Sequence, residues 1–182
     1  HLLGTDQLGR DLFSRVLFGG QVALKVAFLT IGLALIVGIV LGLIAGYGPA
    51  WLDNSIMLLF DTIRSVPTIM LALAAVAVVG PSITTVIFVI AVSSIPNYGR
   101  IVRTQTLTIK SKDFVNAERL MGASLLRILS IHLLPNILGP LLILASMDIP
   151  TIIALEAGLS FLGMGVKPPT PSWGSILNDG FT

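Results

Sequence analysis

Cysteine is absent from all 182 residues, which excludes a disulfide framework and any thiolate metal site. Charge is almost as scarce: Asp, Glu, Lys and Arg make up 11% of the chain, where soluble globular domains carry about a quarter. Histidine occurs only at His1 and His132, too far apart in sequence to suggest a ligand pair. There is no G-x-x-x-x-G-K-[ST] phosphate loop, so this chain is not expected to bind ATP itself. There is no G-x-S-x-G elbow either, and His132 has no evident serine or acid arrangement, which argues against a membrane hydrolase.

Apolar residues fill the chain instead, at 54% with a mean hydropathy of +0.96. That composition belongs to a membrane protein in a lipid bilayer. The net charge of +2 does not point to nucleic acid, because the lysines and arginines sit between apolar runs, as membrane topology requires. A chain that opens at His1 without initiator methionine or signal peptide, and stops in a polar stretch, is expected to be a piece of a longer protein.

Uncharged runs define the spans. Residues 26–52 and 65–99 carry no charge, and a bilayer core needs about 20 helical residues. The second run is too long for one span, and Gly-Pro-Ser at 80–82 signals a tight hairpin inside it. Four spans are therefore predicted, over about 22–47, 55–79, 83–99 and 136–162, within a single transmembrane domain of residues 1–182. Arg64, Arg100, Arg103, Lys110, Lys112, Arg119 and Arg127, seven of the eleven basic residues, fall on one side, which should be cytoplasmic. Residues 1–21 and 163–182 then lie outside, with Arg10, Arg15, Lys25 and Lys167, and 100–135 forms a cytoplasmic loop.

Two features inside the spans bear on assembly and transport. Ala34, Gly38, Gly42 and Gly46 recur every fourth residue, a small-residue ridge that lets another helix backbone come close, either within the chain or on a partner. Asp148 and Glu156 lie in the fourth span, about 80° apart around a helix. Because intramembrane charge is costly, they face protein or water: a polar translocation path or gate on one reading, glue between helices on the other.

The cytoplasmic loop holds the most distinctive stretch. Ser111 or Asp113 could cap a short helix in which Phe114, Ala117, Leu120 and Met121 share a face, and Gly122 offers a left-handed stop. A second helix is predicted from Ser124 to about Leu134, before Pro135 ends it or starts the next. Such a bent pair lies on a membrane or docks in a partner's groove.

"NAERLMGAS" at 116–124 followed by "IHLLPN" at 131–136 resembles the cytoplasmic "EAA" loop of binding-protein-dependent ABC importer permeases. Ala117, Gly122, Ala123, Ile131, His132, Pro135 and Asn136 match its pattern. "LGTDQLGRDLFSRVLFGGQVAL" at 3–24 and "LSFLGMGVKPPTPSWG" at 159–174 look like the corresponding stretches of the dipeptide and oligopeptide permeases, in their C-type subunit. The resemblance runs over essentially the whole chain, in order.

The resemblance implies an all-α type I ABC importer transmembrane domain, here with four of an expected six helices, in a bacterial or archaeal inner membrane. It implies a homologous permease as partner, two ATPase subunits that hold ATP and magnesium, and an external substrate-binding protein. Residues 113–124 would be the coupling helix in the ATPase groove, with Phe114, Asn116, Ala117, Glu118, Leu120, Met121, Gly122, Ala123, His132 and Pro135 as the coupling residues. The chain departs from the family at Asn116, where relatives carry the leading glutamate, and at Glu118, where they carry alanine. A charged contact by that leading acid is therefore not carried over, and apolar docking takes more of the load.

The outer segments read more simply. "GTDQLGRD" forms a structured loop and "KPPTPSWG" is stiffened by prolines, with Trp173 as an interfacial anchor. Both could touch the binding protein, although capping of the bundle is the simpler role. An ion-coupled secondary transporter using Asp148 and Glu156 is the alternative class. Within the permease family the expected ligand is a di- or oligopeptide; nickel chelates, glutathione and opines are the other candidates.

Overall fold

The computed structural model describes residues 2–166 and 168–181. His1, Lys167 and Thr182, which entered the histidine and charge readings, lie outside the described residues. Among those described there is no β-strand, only an isolated bridge between Thr5 and Asp11.

Helix α1, Leu12–Tyr47, starts ten residues before the predicted first span. Asp11 caps it, its Oδ2 accepting from the Ser14 amide at 2.9 Å and hydroxyl at 2.6 Å. Arg15 does not stop the helix, since Asp6 and Asp179 neutralise it.

The predicted span over 55–79 is two helices, α2 (Ala50–Ser65) and α3 (Thr68–Val79), bent by 82°. Pro67 is the cause. It has no amide to donate, and it disfavours helical backbone at Val66. The Gly-Pro-Ser hairpin follows, with Gly80 at φ +91° and Ser82 capping the next helix through the Thr85 amide at 3.1 Å.

Helix α4, Ile83–Lys110, runs through Pro96 and beyond the predicted end of the span at 99, so 100–110 is helical. Charge marks the edge of the apolar phase; it does not break a helix.

The predicted pair after Gly122 also differs. α5 (Asp113–Leu120) is followed by one turn, α6 (Leu125–Arg127), a π-helical stretch (Ile128–Leu133) and α7 (Leu134–Phe161) in unbroken succession. Pro135 therefore stands in the first turn of α7, the start of a helix rather than the end of one. The wider π turn immediately before it, with the Leu134 amide reaching the Leu129 carbonyl, absorbs a residue that cannot donate to its own i−4 carbonyl. A last helix, α8 (Trp173–Phe181), closes the described chain.

Among the described residues three helical stretches are long and apolar enough to cross a membrane: Leu12–Tyr47, Ile83–Lys110 and Leu125–Phe161. The bent α2–α3 pair makes a fourth if it is one span.

The chain forms two compact units. One comprises His1–Gly32, Val66–Ala91 and Asp148–Thr182; the other comprises Leu33–Ser65 and Val92–Met147. In the second, the glycine ridge of α1 packs on α4 of the same chain. A Cβ at Gly38 would meet the Tyr98 Cβ at 2.8 Å, and one at Gly42 would meet the Gly99 carbonyl oxygen at 2.5 Å. At Gly46 it would meet the Thr106 Cβ at 2.6 Å. The absent side chains thus allow backbone contact where no hydrophobic effect drives association. Phe60 of α2 fills the remaining space, its ring against Gly99.

Candidate functional site

The second unit presents α5 on its surface. Lys112, with extended backbone, precedes the helix, and no side chain caps it. The expected caps fall elsewhere: the Ser111 hydroxyl donates back to the Thr108 carbonyl at 3.0 Å, and Asp113 lies within the first turn, where its charge complements the helix dipole.

The helix ends at Gly122, whose φ of +80° admits the left-handed turn. The Ala123 amide reaches the Glu118 carbonyl and the Gly122 amide the Arg119 carbonyl, both at 3.0 Å. These two bonds satisfy carbonyls that a blunt end would leave bare.

The inner side of α5 is anchored at three places. Val115 is completely buried. The Arg119 guanidinium lies 5.0 Å from the centre of the Tyr47 ring, at the end of α1, and its Nε donates to the Tyr47 hydroxyl at 3.1 Å. Glu118 Oε1 faces His132 Nε2 at 3.4 Å, and the His132 ring also lies 6.1 Å from that of Phe114.

The outer side is apolar and open. Leu120 is 89% exposed, Met121 74% and Leu126 76%, with Leu125 and Ile131 also exposed. Asn116, Ala117 and Pro135 are exposed too, Ala123 is half-buried, and Phe114 sits at the boundary. The predicted coupling residues therefore divide: Leu120 and Met121 face out, whereas Glu118 and His132 turn to each other.

Basic residues of α4 brace this unit. Arg103 grips Asp53 of α2 through Nε and Nη2, the latter 2.6 Å from Oδ2, and Arg100 pairs with Asp61. The Lys110 ammonium donates to the Gly46 carbonyl at 2.6 Å, closing the end of α1. These charges were read as topological; they are also paired.

The first unit holds the two intramembrane acids. Glu156 is fully buried, its Oε1 accepting from the Ser160 hydroxyl at 2.7 Å. That hydroxyl in turn accepts from the Val166 amide at 3.2 Å, so Glu156 ties the end of α7 to the turn beyond it. Asp148, two turns earlier, is half-buried.

The same unit gathers Asp6, Arg10, Arg15 and Asp179. Arg15 binds both acids, at 2.8 Å to Asp179, and Arg10 reaches Asp6 at 2.6 Å. Burial alone would raise the Asp6 carboxyl. Bonds from the Arg10 amide and guanidinium and from the Leu8 amide outweigh it and hold the carboxyl at about 2. A cavity of about 250 Å³ opens beside this cluster, lined by Thr5, Leu12 and Ile176 among others. Trp173 donates its indole N–H to the Val16 carbonyl at 2.9 Å and lies over Gly19 and Gly20, as a residue capping the bundle would.

Arg119 with Tyr47, and Asp6 with Asp179, carried no signal in the sequence, because the partners are 72 and 173 residues apart. Among the described residues no group of three or more His, Asp or Glu side chains could hold a metal ion.

An all-helical membrane subunit with a glycine-capped, apolar-faced surface helix is the class that this arrangement defines. The chain belongs to the binding-protein-dependent transport system inner membrane component family, whose sequence pattern matches residues 38–181. It is 40% identical over 179 residues to the dipeptide transport system permease protein DppC of Alkalihalophilus pseudofirmus, covering 98% of this chain and 59% of that protein. With the di/tripeptide transport system permease protein DppC of Pseudomonas aeruginosa the identity is 42% over 176 residues, 97% of this chain and 58% of the relative. With the glutathione transport system permease protein GsiD of Escherichia coli it is 44% over 179 residues, 98% and 59%. The chain thus spans about three-fifths of the length of these relatives. An inward-facing structure of the MetNI methionine ABC transporter shares the fold, with a TM-score of 0.70 and 23% identity over 81% of this chain and 74% of that one. A second crystal form gives 0.71 and 19%, over 93% and 90%. The fold is that of a type I ABC importer transmembrane domain.

Proposed function

We propose that the chain belongs to an inner-membrane permease subunit of an ATP-driven, binding-protein-dependent importer, in bacteria or archaea, and forms half of the path for di- and oligopeptides. The α5 end faces the cytoplasm, where seven basic residues gather. The Leu120 and Met121 face of α5 seats in a groove of an ATPase subunit, as an amphipathic helix does. The observation that carries this reading is that α5 is anchored on one side and bare and apolar on the other, in a chain whose relatives are permeases. A homologous permease, two ATPase subunits holding ATP and magnesium, and an external binding protein complete the assembly. Glu156 supports the path from within its wall.

Relatives named for dipeptides, di/tripeptides and glutathione, itself a tripeptide, favour a small peptide as cargo over nickel chelates or opines. Kinship with binding-protein-dependent components favours ATP over an ion gradient as the energy source.

The test is co-purification of the tagged full-length protein from native membranes in mild detergent, beside Leu120→Asp combined with Met121→Asp. The parent should bring ATPase subunits and the partner permease, and the variant should keep the permease and lose the ATPase. A parent that brings no ATPase, under conditions that preserve a control transporter, removes the reading.

A further inference from the structure

The inward side of α5 makes two polar contacts whose partners sit on different membrane helices. Arg119 lies over the ring of Tyr47 and donates to its hydroxyl, at the last residue of α1. Glu118 faces His132, in the π-helical stretch that leads into α7. Between them Val115 is fully buried. The helix is therefore fastened along one line to the end of α1 and along another to the root of α7, while its opposite face stays bare.

We infer that Arg119 with Tyr47, and Glu118 with His132, are two struts that make α1 and α7 follow the coupling helix, so that these four are positioning residues for transport. The inference rests on the importer reading above. The chemistry suits the task. A planar guanidinium over a phenol ring is held both by the ring's charge distribution and by a directed hydrogen bond, so it resists sliding and tilting together. The second strut, from the neighbouring residue Glu118 and about 100° round the helix, adds a carboxylate against an imidazole. With two fixed points on two different helices, a displacement of α5 passes to both; one point alone would leave the helix free to pivot. The left-handed end at Gly122 then serves as the joint between the pushed element and the path to α7.

The experiment uses the full-length permease assembled with its partners in proteoliposomes, with external binding protein and a dipeptide, and reads peptide taken up per ATP hydrolysed. Arg119→Ala should leave assembly and ATP hydrolysis in place and lower that ratio about fivefold, the loss expected of one exposed cation–π contact. Tyr47→Phe should retain more of the ratio than Tyr47→Leu, because it keeps the ring. Tyr47→Cys with Arg119→Cys, in an assembly from which any other cysteine has been removed, should be as poorly coupled as Arg119→Ala and should regain coupling when a short bis-maleimide bridges the pair.

A role in fold stability alone would lower yield and leave the ratio unmoved. An unchanged ratio in Arg119→Ala overturns the struts, and so does a bridge that abolishes uptake, since α5 would then have to slide over Tyr47. A parent that takes up no peptide on ATP overturns the importer reading itself, which these variants leave unaffected.

Discussion

Arg103 holds Asp53 with two nitrogens of one guanidinium, Nε on Oδ1 and Nη2 2.6 Å from Oδ2. The pair joins α4 to α2 across 50 residues of sequence, in a setting where both side chains are mostly shielded from water. Arg103→Ala leaves the carboxylate without its hydrogen-bonded partner, with only the Lys110 charge acting on it, and should cost about 2 kcal/mol, the price of an unmet charged hydrogen bond. Arg103→Lys supplies a point charge but no fork, and should fall between the two. Thermal unfolding in detergent, compared with the parent, checks the order.

Gly42 has no room. A side chain there would meet the Gly99 carbonyl oxygen at 2.5 Å and the Val102 Cβ at 2.6 Å, both in the middle of α4. Gly42→Val should therefore destabilise by about 1–3 kcal/mol or more, as overpacking does. Gly139, in α7 with nothing within 4 Å, is the contrast: Gly139→Ala should be neutral, or stabilising by up to about 1 kcal/mol through helix propensity. Equal effects at the two sites would contradict the packing described for α1 and α4.

Asp6 ties stability to pH. Its carboxyl ionises at about 2 in the folded chain, against an ordinary value of 3.8. The contribution is present in full above the ordinary value and fades as the pH falls from about 4 towards 2, because the folded state must then take up a proton it resists. Trp173, bonded in the same unit, reports the change in fluorescence. Asp6→Asn should flatten the acid limb, and an acid limb that survives Asp6→Asn would assign it to another group.

Gly122 tests conformation apart from contact, since nothing lies within 4 Å of a side chain added there, while its φ is +80°. Gly122→Val should cost about 1–2 kcal/mol, the penalty of left-handed backbone for an ordinary residue. Gly122→Asn should be milder, because asparagine tolerates that region. ATPase co-purification should follow the same order.

Much of the fold was legible because lipid makes simple demands. Charge-free runs gave helices of spanning length, and Gly-Pro-Ser gave the turn between α3 and α4. The errors came from treating charge as punctuation. α1 starts before Arg15 and α4 continues past Arg100 because each arginine has an acid waiting elsewhere in the chain. Pro67 was the missed signal: it divides the span read over 55–79 into α2 and α3. Of the two outcomes open at Pro135, an end or a start, the structure has the start of α7, reached through a π turn. At the site, the outward Leu120 and Met121 followed from helical spacing. The inward contacts did not, because spacing cannot reveal that residue 119 meets residue 47.

The glycine ridge makes α1 a helix with two unequal edges. Along Gly38, Gly42 and Gly46 no additional atom fits, whereas Ile36, Val40 and Ile44, two residues earlier in each turn and on the opposite side, are 65%, 51% and 41% exposed. A saturation library of this helix would accordingly record two interleaved rhythms of four: one intolerant of any side chain, the other indifferent to which apolar residue it carries. The seam with α4 could be drawn from that alternation alone.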